Sequence, residues 1–189
     1  MRHHHYLLLL ICMCCSLAAT AQNNNSLQAS IFYPTVVETP QLFRNYAIGF
    51  DMGYQYSVSK NLSIGGDYRL TVHSNRWEGA MVCGNSVGTE ILNISFHDFD
   101  VKGRWCMNPV NKWRAIFSMA IGYSHLIFTL YGEEQTNEMG GYNLIPSIEL
   151  NRKISDHFSV NVQAGYSYKH FSILRVHAIE LGLGSTFSF

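Results

Sequence analysis

From Asn45 to Val58 the chain alternates without a break, with Tyr46, Ile48, Phe50, Met52, Tyr54, Tyr56 and Val58 on one parity and Asn45, Ala47, Gly49, Asp51, Gly53, Gln55 and Ser57 on the other. A period of two belongs to a strand with one apolar and one polar face. Strands of soluble proteins are mostly about five or six residues long, whereas a tilted strand crossing a bilayer needs about 9 to 11. The length of this alternation therefore predicts a membrane strand, its apolar side against lipid and its glycines and Asp51 against an interior.

The pattern recurs along the chain. Leu62, Ile64, Tyr68, Leu70 and Val72 alternate with Ser63, Gly65, Asp67, Arg69, Thr71 and His73 after a tight turn at Ser59 to Asn61. Phe99, Val101, Gly103 and Trp105 oppose Asp98, Asp100, Lys102 and Arg104, while Leu92, Ile94 and Phe96 sit on the other parity, a slip that predicts a β-bulge near His97. Three more runs follow the same rule: Trp113 to Tyr123 with Arg114 inward, Tyr142 to Leu150 with Glu149 inward, and Phe158 to Tyr168 with Lys169 inward. The last sets Ile179, Leu181, Leu183, Phe187 and Phe189 against Glu180, Gly182, Gly184, Thr186 and Ser188. A closed bacterial barrel takes an even number of strands, so the weaker stretch Leu27 to Val37 supplies the eighth. Its Pro34 is tolerable near a strand end, and Pro146 where a donor can be spared. The expected fold is all-β: a closed antiparallel up-and-down transmembrane barrel of about eight strands, closed because lipid offers no hydrogen bonds to a sheet edge.

Composition agrees with this reading and excludes others. After the N-terminus no run of ~18 residues is free of polar interruption, so a transmembrane helix is excluded. The 13 basic and 13 acidic residues leave no net charge and no basic block, which argues against nucleic-acid binding. Met1, Arg2 and the histidines His3 to His5 precede an apolar run from Leu7 to Leu17 and an Ala19-Thr20-Ala21 cleavage site. Residues 1–21 are thus expected to be a cleaved secretory signal, the barrel domain being 22–189 with Gln22 first. Cys12, Cys14 and Cys15 are not preceded by the Gly, Ala or Ser of a lipoprotein signal.

Short turns of such barrels face the periplasm and longer loops the exterior. The turns are expected near Lys60, Asn108 to Lys112 and Ser155 to His157, and the outside loops near Glu38 to Arg44, Ser74 to Ile91, Tyr131 to Gly141 and Phe171 to Arg175. This order puts Cys83 outside and Cys106 near a periplasmic turn, too far apart for an intramolecular disulfide. Tyr46, Tyr54, Tyr56, Trp105, Trp113, Tyr131, Tyr142, Tyr166 and Tyr168 fall near strand ends, as an interfacial girdle requires. Inward positions collect Asp51, Asp67, Asp98, Asp100, Glu149 and Glu180 with Arg69, Lys102, Arg104, Arg114 and Lys169. In so narrow a space these charges are expected to form a cross-linked network that fills the lumen.

In these residues the chain resembles the small eight-stranded outer-membrane barrels of the outer membrane protein A transmembrane-domain and outer membrane protein X type. The alternating C-terminal run Ile179 to Phe189, ending in Phe187-Ser188-Phe189, is similar to the assembly signal of that group. The resemblance implies location in the cell outer membrane, insertion by the barrel-assembly machinery, and contact with outer-membrane lipid and lipopolysaccharide. No cofactor is expected, and no peptidoglycan-binding domain is expected after the final strand.

Catalysis is weighed on two Ser and His pairings similar to those of outer-membrane lipid A deacylases: His73-Ser74-Asn75 and Ser124-His125, with Glu133 or Glu134 to orient an imidazole. Neighbours in a strand face opposite ways, so no catalytic residue is assigned. The acidic stretch Gly132 to Glu138 lacks the ligand spacing of a calcium loop, and no metal site is assigned. Trp77 is either an adhesive contact or a rim-packing residue. The expected role is structural or surface-interacting, with a filled lumen, loops displayed outside and an unidentified surface ligand. The alternatives are a narrow channel or porin, and a lipid A-modifying enzyme.

Overall fold

The structure is a computed structural model, and it describes residues 25–38, 47–77, 90–107, 111–130 and 136–189. The expected signal segment, Tyr46, Cys83, Tyr131, Glu133 and Glu134 lie outside these residues, as do the side chains of residues 74–77.

Eight strands follow in chain order: β1 Asn25–Glu38, β2 Ala47–Ser57, β3 Leu62–Trp77, β4 Glu90–Met107, β5 Trp113–Leu130, β6 Thr136–Lys153, β7 Phe158–Phe171 and β8 Arg175–Ser188. Each pairs antiparallel with its neighbours, and β1 closes on β8. Because every strand pairs on both sides around the ring, the sheet closes on itself and no strand is left as an edge to lipid.

Side chains sort by parity as the alternation predicts. Ile48, Val101, Ile121, Ile148, Val162 and Leu181 are each more than half exposed on the outer wall. Among the described residues, acidic or basic side chains on that wall stand only at strand ends: Arg152, stacked on Trp113 at 5.2 Å, and Glu138 and Arg175 at the opposite end. A closed antiparallel barrel wrapped in an exposed apolar band is the build of an outer-membrane protein.

Both proline positions fit their ladders. Pairing of β1 with β2 ends at Phe32↔Gly49, so Pro34 lies beyond the point where its missing donor would matter on that side. The β6–β7 ladder skips from Leu144↔Tyr168 to Ser147↔Gly165, leaving Pro146 in the gap.

Two expectations about strand geometry are corrected. No bulge occurs near His97: the β3–β4 register runs unbroken from Leu62↔Trp105 to Trp77↔Glu90, and β4–β5 from Met107↔Ala115 to Leu92↔Leu130. Ile94 and Phe96 stay on the inward parity of Asp98 and are 2% and 1% exposed. The register shift lies instead on β1, between Val36 and Glu38 opposite β8. Secondly, the loops after β3 and β5 are shorter than expected, because β3 continues to Trp77, β4 begins at Glu90 and β6 begins at Thr136. Strands β4, β5 and β6 have 18 residues each, against 11 in β2 and 14 in β7 and β8. Since about 11 residues suffice to cross the hydrocarbon, these three strands carry the wall well past it.

The opposite, short-turn end is tightly tied. Val58 and Ser59 donate to the Leu62 carbonyl at 2.9 and 3.0 Å, and Ile154 and Ser155 to the Phe158 carbonyl at 2.9 and 3.0 Å. In the second turn Lys153 Nζ donates to Asp156 at 2.6 Å, which holds that exposed carboxyl below its usual range.

Candidate functional site: the barrel interior

The interior is built in levels along the axis, each supplied by inward parity positions of several strands. In the middle, Arg104 Nη2 meets Glu149 Oε2 at 2.6 Å, Glu149 Oε1 stands 4.0 Å from Lys102 Nζ, and Lys102 Nζ meets Asp67 Oδ2 at 2.9 Å. Gln55 Nε2 then donates to Asp67 Oδ1 at 3.1 Å, so one connected chain of polar contacts passes from β6 through β4 and β3 to β2. Arg69 on β3 pairs with Glu180 on β8 at 2.5 Å, and Lys169 on β7 with Asp98 on β4 at 2.5 Å. These pairs join strands that are not neighbours in the sheet. They therefore run across the lumen rather than along its wall.

Burial makes the pairing obligatory. Glu149 is fully buried, and the other ion-paired side chains of this level are at most 7% exposed. A buried charge deprived of its partner is strongly destabilising. Ser124 Oγ donates to Asp98 at 2.5 Å, giving that carboxylate a second donor. Gln163 Nε2 donates to Ser30 Oγ at 2.8 Å from β7 to β1. Asp51 stands directly across the β2–β3 ladder from Arg69. Asp100 stands across β3–β4 from Asp67 and joins no ion pair among the described residues. Arg114 is not drawn into the network: it lies near the turn end, its Nε donating to the Asn111 carbonyl at 3.4 Å. A cavity of about 20 Å³ in the middle level, lined by Asp51, Asp67, Arg69, Lys102 and Glu180 among others, has room for one water and not for a solute.

Toward the long-loop end the interior becomes apolar. Ile94, Phe96, Leu126, Phe171 and Val176 form one buried cluster, with Val36, Phe128, Met139 and Leu174 packed against it. Two cations face rings at the boundary between the levels: Lys169 Nζ lies 4.6 Å from the Phe96 centroid and Arg69 Cζ 4.3 Å from that of Phe32. Gly49 makes room for the Phe32 ring, which an added Cβ would approach to 2.1 Å. The sequence reading misses this plug: it takes the parity change of Ile94 and Phe96 for a bulge, and places Phe171 and Met139 in outside loops. The signal that finds it is an inward apolar residue beside an outward histidine on four strands: Phe96 with His97, Leu126 with His125, Phe171 with His170, and Val176 with His177. Outside, these histidines join the tyrosine belt. Tyr68 Oη bonds His97 Nδ1 at 2.8 Å, Tyr166 bonds His177, and Tyr142 stacks on His170 at 5.0 Å.

Among the described residues weighed for catalysis, Ser124 and His125 are not brought together. Ser124 points inward to Asp98, while His125 points outward, 3.3 Å from Glu138. His73 is buried edge-on to Phe96, with ring centroids 5.5 Å apart. Cys106 is an unbridged, half-buried thiol at the turn end.

No family model matches the chain, and no curated protein matches it in sequence. Solved structures do. Neisserial surface protein A superposes over 87% of this chain and 97% of its own, with a TM-score of 0.67 at 11% identity. This chain has the fold of the small eight-stranded outer-membrane barrels. A major outer membrane protein of Thermus thermophilus gives a TM-score of 0.58 at 10% identity over 89% of this chain and all of its own. Ail, the attachment invasion locus protein of Yersinia pestis, solved with the heparin analogue sucrose octasulfate, gives 0.56 at 14% identity over 88% of this chain and all of its own.

Proposed function

We propose that this protein is a closed outer-membrane barrel with a structural or surface-interaction role, its long-loop end facing outward. The observation that carries this reading is the double closure of the interior: a cross-lumen ion-pair level backed by an apolar plug. A barrel sealed in this way has its wall and loops left to work with, and the tall strands β4 to β6 lift those loops clear of the lipid. Attachment, the activity named for Ail, is the kind of role such a platform suits. The reading includes no catalysis, because Ser124 and His125 face opposite sides of the wall. Contact with outer-membrane lipid and lipopolysaccharide, through the outer wall and the tyrosine and histidine belt, belongs to the same proposal.

The test is to present purified protein in detergent to immobilised extracellular-matrix proteins and sulfated polysaccharide. Saturable binding that disappears when residues 78–89 are replaced by a short Gly-Ser turn, in a barrel that still folds, is the expected result. Absence of binding to every surface would overturn the interaction role.

A further inference from the structure

Along β4 the luminal charge changes sign from one end of the strand to the other. Going down β4 toward the turn end, the inward order is Asp98, Asp100, Lys102, Arg104, so on this strand the acids lie on the loop side and the bases on the turn side. Arg114, inward near the start of β5, adds a second guanidinium at the same end. Among the described residues, the only carboxylate ion-paired to either is Glu149, and Glu149 is shared with Lys102. Arg104 Nε is buried with no hydrogen-bond partner, and Arg114 makes no ion pair among the described residues.

Both guanidiniums, with Lys60 of the first turn, line a cavity of about 120 Å³ at the turn-end mouth of the lumen. Among the described residues no Asp or Glu lines it, whereas Asn151, Ser159 and Thr186 do. Thr186 Oγ1 is buried without a partner. Ser159 Oγ accepts from Asn151 Nδ2 at 3.0 Å, which leaves its own proton to donate. Positive charge is thus concentrated in a recess with low-dielectric walls, where field lines focus. Its lining supplies guanidiniums and hydroxyls, the donor types that bind tetrahedral oxyanions.

We propose that the turn-end mouth is a binding site for a phosphate- or sulfate-bearing solute, with Arg114 and Arg104 as its principal charged donors and Lys60 at its entrance. Most of the lining comes from inward parity positions, Arg104, Arg114, Asn151, Ser159 and Thr186 among them, so the site takes a soluble oxyanion rather than a lipid headgroup.

The experiment is calorimetric titration of the purified protein with inorganic phosphate at low ionic strength, in a maltoside detergent that carries no phosphate of its own. Saturable binding of one phosphate per barrel is expected, with no such signal from chloride at equal ionic strength. Arg114→Gln breaks no ion pair, so the variant should keep its heat-shifted gel mobility while losing affinity about tenfold, the scale of one charge-assisted hydrogen bond. Lys60→Gln, in an exposed turn, should weaken binding by a smaller factor and serves if Arg114→Gln fails to fold. No saturable heat from the wild type, or unchanged affinity in the folded variants, would overturn the proposal. Displacement of phosphate by micelles doped with an anionic phospholipid would move the ligand to the lipid surface and overturn the luminal placement.

Discussion

Glu149 shows how much one side chain can hold in place here. It is fully buried and meets both Arg104 and Lys102, so Glu149→Gln leaves buried Arg104 without its carboxylate and Lys102 with Asp67 alone. The expected cost is about 3 to 5 kcal/mol, the usual consequence of breaking a buried pair from one side. Urea unfolding in lipid vesicles measures it, and a change under about 1 kcal/mol would contradict the network described above. Asp100 is the contrasting case. It faces the Asp67 carboxylate across the ladder and joins no ion pair among the described residues. Like charges directly opposite are destabilising by up to about 1 kcal/mol, so Asp100→Asn should leave the same unfolding curve unchanged or shift it toward higher urea. A loss comparable to that of Glu149→Gln would show that Asp100 has an essential partner.

At the level of strands the lipid face carries its own prediction. Val101 lies between Gly66 and Ile121 on the outer wall and is 56% exposed. Val101→Arg should cost about 2 to 4 kcal/mol near the bilayer midplane, whereas Met107→Arg, at the turn end of the same strand, should cost about 1 kcal/mol or less. Equal penalties in vesicle unfolding would mean that the wall is not sorted by depth. Strand positions and facing were legible in the sequence because lipid outside and a polar lumen inside impose a strict period of two. The same rule misread β4, since it treats every apolar residue as lipid-facing. Ile94 and Phe96 changed parity relative to Phe99, and the economical inference was a bulge; the ladder is continuous and the lumen itself turns apolar there. Matching changes at Leu126, Phe171 and Val176, on strands with no bulge, distinguish one plug from several irregularities. The charged positions could be named from parity alone, but their pairing could not, because it depends on which strands face one another across the closed ring. Arg69 with Glu180 is such a case, 111 residues apart in sequence.

For the whole molecule the decisive property is closure. Eight strands enclose a lumen that side chains just fill, and here they do so twice, with ion pairs between non-neighbouring strands and with an apolar cluster above them. The cavity of about 20 Å³ in the middle level does not admit a metabolite. The mouth at the turn end is wider, yet it ends against Arg104 and its bond to Glu149. The most direct test of this account is planar-bilayer recording from the purified wild-type protein. It predicts a quiet membrane, without stable open steps, across salt concentrations and voltages at which the protein is demonstrably inserted. Stable, large single-channel steps would contradict it and show that solutes pass through the lumen.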